Sequence, residues 1–108
     1  MECSKEDWKL FRSKIPGWQE AYMERLNKEY IQLLSSEGKA SDKFWALEKR
    51  INQDKCSPGV IVQLRRRDMP IQLTSLLRDG AITRDDLKEF SPELQEYLGF
   101  LLGENRKK

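Results

Sequence analysis

The stretch from Pro16 to Gly38, PGWQEAYMERLNKEYIQLLSSEG, limits what this chain can fold into more than any other, because it keeps a helical hydrophobic period throughout. Pro16 suits a first helical turn: its φ is fixed near helical values, and its missing N–H would find no partner there. Gly38 marks the stop, since glycine enters a left-handed cap without steric cost. Between them Trp18, Tyr22, Leu26, Tyr30, Leu33 and Leu34 recur at steps of three and four, with Glu20, Glu24, Asn27, Lys28 and Gln32 on or near the opposite side. The spacing predicts a long central helix over about residues 17–36. Met23 and Ile31 widen its apolar stripe, which implies more than one neighbouring helix. Glu29 falls among the apolar positions, and Arg25, four residues earlier, is its expected ion-pair partner.

The flanking sequence divides into shorter helical segments. Ser4 followed by Asp7 resembles a capping box, so a first helix begins at Lys5 and, because the residue before proline avoids helical angles, ends near Lys14. A tight corner at Ile15–Pro16–Gly17 follows from that reading. Ser41 reads as the cap of a helix over roughly residues 42–55, with Phe44, Leu47 and Ile51 on its packed face and Trp45 about a quarter turn away. Lys55 to Gly59 forms a link. Val60 to Leu64 carries the β-branched content of a strand, yet no second strand is evident to pair with it, so a short helix closed by Arg65, Arg66 and Arg67 is the expectation. Asp68, Thr83 and Ser91–Pro92 open three further segments, packing Met69, Leu73, Leu76 and Leu77, then Leu87, then Leu94, Tyr97, Leu98 and Leu101. The whole reads as an all-α fold, a compact bundle of about five or six helices around the central one. It is expected to form a single domain over residues 1–103, with a disordered basic tail at 104–108.

Composition narrows the chemistry. The 108 residues include no histidine, the commonest general base and metal ligand. Cys3 and Cys56 have no metal spacing and read as free thiols, with Cys3 in a frayed terminus. The half-loop Asp79–Gly80–Ala81–Ile82–Thr83–Arg84–Asp85–Asp86–Leu87 looks like the second half of a calcium-binding EF-hand. Alignment on Gly80, however, puts Ser75 and Leu77 at the first two ligand positions, and leucine cannot coordinate a hard cation. No catalytic residue, metal or cofactor is expected. No apolar run approaches the roughly 20 residues of a membrane span, and no signal-peptide core is present, so a cytoplasmic location is expected.

Two binding readings remain. Trp45 and Phe100 lie off the core stripes and are candidate contacts for a protein partner or for self-association in a non-enzymatic adaptor. Residues 41–78 carry eight basic against four acidic side chains, and Arg65, Arg66 and Arg67 with Lys55 and Arg78 are the alternative, a nucleic-acid patch of a small regulatory protein. The hairpin around Gly80 also suggests a DNA-binding helix-turn-helix, but its second helix, TRDDLKEF, would set acidic side chains against phosphates.

The Pro58–Gly59 start, the run DGAITRDDLKEFSPEL, and more broadly Trp8 to Leu98 with IPGWQEAYMERLNKEY resemble small uncharacterised helical proteins of Gram-positive bacteria, often found near mobile elements. The resemblance implies an all-helical fold and carries no activity, cofactor or functional residue. Some such proteins bear a multidrug-transporter label, which conflicts with the lack of a membrane span.

Overall fold

A computed structural model describes residues 2–103, and the basic tail expected at 104–108 lies outside them. Four α-helices follow in order: α1 (Lys5–Ser35), α2 (Ala40–Asp54), α3 (Met69–Arg78) and α4 (Pro92–Leu101). Single 3-10 turns at Arg66–Asp68 and Arg84–Leu87 lead into α3 and towards α4. The all-helical class stands, with four helices where five or six were expected. One expected segment, opened by Thr83, forms only a 3-10 turn, and the rest of the difference has two causes.

The first is α1, which runs unbroken for 31 residues with Pro16 inside it. The expected corner at Ile15–Pro16–Gly17 does not form. Pro16 cannot donate to the Arg12 carbonyl, and an internal proline costs about 3 kcal/mol. Against this, Phe11, Ile15 and Tyr22 are buried on one side of the helix, across the proline, at roughly 1.5–3 kcal/mol each. Phe11 and Trp18 meet two turns apart with ring centroids 6.4 Å apart, and Trp18 reaches Phe90 at 6.3 Å. Packing on both sides of Pro16 outweighs the local preference to stop, while Pro16 and Gly17 themselves face solvent.

The second cause is Val60 to Leu64, which forms neither helix nor strand. After a turn in which Val60 and Ile61 donate to the Ser57 carbonyl, the segment runs extended with alternating exposure. Val62 and Leu64 lean on the core while Ile61 and Gln63 face out. Its anchors are side chains: Gln19 Nε2 donates to the Pro58 carbonyl (2.9 Å), Gln72 Nε2 to the Gln63 carbonyl (2.8 Å) and Ser57 Oγ to Asp79 Oδ2 (2.8 Å). Gly59 lies so close to the Tyr22 ring that an added Cβ would fall 2.4 Å from it. A side chain has no room there.

The core is built from Phe11 and Ile15 of α1, Met69, Leu73 and Leu76 of α3, Leu94 and Leu98 of α4, and Ile82, Leu87 and Phe90 between them. Cys3 is buried in this cluster rather than frayed, because Arg66 donates twice to its carbonyl, at 3.1 and 2.6 Å. Three cap readings hold in the structure. Ser4 Oγ accepts from the Asp7 N–H, Ser91 Oγ from the Leu94 N–H, and Thr83 with Asp86 makes a reciprocal capping box on a 3-10 turn rather than an α-helix. The Asp7 carboxylate does not return to Ser4. It is buried and accepts from the backbone N–H of Ser91 (2.9 Å) and from its hydroxyl (2.5 Å), which holds the start of α4 against the start of α1.

Beyond this body, α1 continues and α2 folds back along it. The helix α2 begins at Ala40, so Ser41 lies within the first turn and the cap position falls on Lys39. No α2 residue is buried. The resulting hairpin makes the molecule elongated, with extents of 51 × 33 × 20 Å and a radius of gyration of 16.8 Å. A compact domain of this length would measure about 13 Å.

Candidate interaction face on the α1–α2 hairpin

Each side chain of the hairpin is placed by the helical period, in which successive residues turn by about 100°. On α2, Lys43, Ala46, Leu47, Arg50 and Asp54 form one stripe, and all five are half-covered by α1. The stripe is largely polar. Lys43 Nζ donates to the Leu34 and Ser36 carbonyls (3.1 and 3.0 Å), where positive charge suits the end of a helix. Arg50 Nη2 meets Glu29 Oε1 at 2.7 Å and lies over the Tyr30 ring, so Glu29 pairs with Arg50 rather than with Arg25. Arg25 instead packs on Tyr22 and donates to the Gly80 carbonyl (2.7 Å). The Tyr30 hydroxyl donates to Asp54 Oδ2 at 2.6 Å. Partial burial, and next the adjacent Asp54 carboxylate, push the Tyr30 phenol up to about 12.

Leu26 is buried at the root of the hairpin, but further out polar groups close the seam and the large apolar residues are left on one flank. Asn27, Ile31 and Leu34 of α1 and Phe44 and Ile51 of α2 look out on the same side of the hairpin. A groove of about 270 Å³ runs along its base between Met23, Tyr30, Ile51 and Val60. Towards the tip Ile31 and Phe44 are 62% and 61% exposed, and Trp45, 61% exposed, meets Phe44 edge to face at 4.8 Å. Phe44 and Ile51 were expected on a packed face, and both are exposed. The period correctly grouped them, but no element covers that group among the described residues.

The other sequence candidates are dispersed. Phe100 is exposed on α4, stacked on Tyr97 at 6.4 Å, in the body rather than on the hairpin. Lys55 borders the hairpin groove, whereas Arg66 and Arg67 line a separate hollow with Glu2 and Cys3. Arg66 serves the Cys3 carbonyl, Arg78 the Leu101 carbonyl at the end of α4 (3.1 Å), and Arg65 the Gln63 amide oxygen (3.3 Å). Arg67 is exposed. These five cations do not converge on one surface.

The chemistry-bearing groups have structural partners. Asp79 takes the Ser57 hydroxyl and Asp86 caps Thr83, and no cluster of three His, Cys, Asp or Glu residues suited to a metal occurs among the described residues. Both cysteines are free thiols. Burial, followed by the nearby Asp7 charge, raises the Cys3 thiol above its ordinary value and so disfavours the nucleophilic thiolate. No described helix is long and apolar enough to cross a membrane. Comparison with protein-family models, with curated proteins and with solved structures gives no match to this chain.

Proposed function

We propose that this chain is a non-enzymatic protein-interaction module, acting in the cytoplasm, whose binding face is the apolar flank of the α1–α2 hairpin. The observation that carries this is the exposure of Ile31, Leu34, Phe44 and Ile51 side by side on a hairpin that projects from an otherwise well-packed body. Scattered apolar side chains are ordinary on a surface, whereas a contiguous patch edged by charge is the usual mark of a partner site. Trp45 and Phe44 supply large, rigid anchors of the kind that dominate binding energy. The nucleic-acid reading has weaker support, since Arg65, Arg66 and Arg78 are already engaged within the chain.

Amine cross-linking in cells that make the protein tests the proposal. Lys28, Lys43, Lys49 and Lys55 on the hairpin are expected to link to other polypeptides, including further copies of the chain, more often than Lys9 and Lys88 on the body. Intermolecular links confined to the body lysines would reject the hairpin as the binding face.

A further inference from the structure

The edges of the apolar flank carry charges left over from the fold. Glu24 and Lys28 border it on α1, Glu48 and Lys55 on α2, and all four are exposed. None of them forms an ion pair with another described residue. The contacts Tyr30–Asp54 and Glu29–Arg50 fix the stagger of the two helices. That stagger sets Glu24 level with Lys55, and Lys28 one turn from the level of Glu48. The two borders are therefore of opposite sign at matching heights. Over residues 20–55 the chain carries seven acidic and seven basic side chains, so two hairpins have no net charge to repel each other.

Resting on the interaction reading above, we propose that the occupant of this face is a second copy of the chain. Two hairpins pack flank to flank with their tips pointing the same way, and α1 of each copy lies on α2 of the other. The result is a four-helix bundle with twofold symmetry. In that arrangement Ile31, Leu34, Phe44 and Ile51 of both copies form the shared core. Glu24 faces Lys55 of the second copy along each edge, and Lys28 reaches Glu48. The inverted pairing, centred on the same apolar side chains, separates Glu24 from Lys55 of the second copy and is disfavoured. The size is adequate. Ile31, Leu34, Phe44 and Ile51, between 41% and 62% exposed, present on the order of 400 Å². The bordering side chains raise this towards the about 800 Å² that each partner buries in a stable interface.

Sedimentation of the purified chain from micromolar to near-millimolar concentration tests this, with circular dichroism confirming that every variant keeps its helix content. Wild type is expected to reach twice the monomer mass, and the Ile31→Asp/Phe44→Asp double variant to remain a folded monomer. Glu24→Lys and Lys55→Glu are each expected to weaken the dimer by roughly two- to tenfold, and their combination to restore it. A wild-type monomer at every concentration overturns the proposal, as does a dimer indifferent to the Ile31 and Phe44 changes. Charge reversals that fail to rescue each other overturn the co-aligned packing. A strict monomer whose hairpin lysines still cross-link to a different polypeptide removes the second copy as occupant and leaves the interaction reading standing.

Discussion

The body and the hairpin share a single helix and differ in almost everything else. In the body, α3 and α4 close on the first half of α1 with Leu73, Leu76, Leu94 and Leu98 fully buried. In the hairpin, α2 is held to the second half of α1 by Lys43, Arg50 and Tyr30 and contributes no buried side chain. Apolar burial organises one region and polar contacts at a seam organise the other. The comparison teaches that a helix can satisfy its backbone and hold its place through its polar groups, leaving its apolar side chains for something else to cover.

The sharpest way to break the comparison is truncation in each region. Leu73→Ala is expected to cost about 3–5 kcal/mol of unfolding free energy, whereas Phe44→Ala, at an exposed position, is expected to stay within about 0.5 kcal/mol for the monomer. Denaturant unfolding at low protein concentration reads both, and similar costs would erase the distinction. Gly59→Ala probes the joint between the regions. Its Cβ would clash with the Tyr22 ring, and overpacking of this kind costs roughly 1–3 kcal/mol. Hydrogen exchange is expected to show faster opening at both α2 and the 55–65 link, and slowed or unchanged exchange would contradict the placement.

The smallest effect concerns alkaline pH. Tyr30 binds its proton more tightly in the folded hairpin, with a value raised to about 12. Its contribution is therefore complete below the ordinary tyrosine range and is lost as pH rises through the folded value. A difference absorbance titration of wild type against Tyr30→Phe is expected to show this phenol ionising late, with hairpin helicity falling over the same range. Ionisation at an ordinary phenol pH would remove the Asp54 contact as a fastener of the seam.

Much of the architecture was legible wherever a short motif and its tertiary role agree. Ser91–Pro92 opens α4, Gly80 adopts positive φ in the hairpin read around it, and Thr83 pairs with Asp86. Pro16 misled because its local preference to end a helix is opposed by side chains buried against residues more than fifty positions away. Val60 to Leu64 misled because its alternation serves an extended strap that side chains anchor, a use that leaves no ladder to infer. Of the candidate face, Trp45 was readable as lying off the stripe. Phe44 and Ile51 were not, because periodicity states which residues share a side and is silent on whether a neighbour covers it. The partners of Arg66 and Arg78 are backbone carbonyls far along the chain, which no run of arginines discloses.

The carboxylate of Asp7 on Ser91 joins positions 84 residues apart. Closing so long a loop before its contacts can form makes this junction a late event in folding. During synthesis, Phe11 and Ile15 stay without their burial partners until α3 and α4 emerge, while the hairpin already holds every residue that fastens its seam. The arm can therefore assemble first and wait for the body to close around its root.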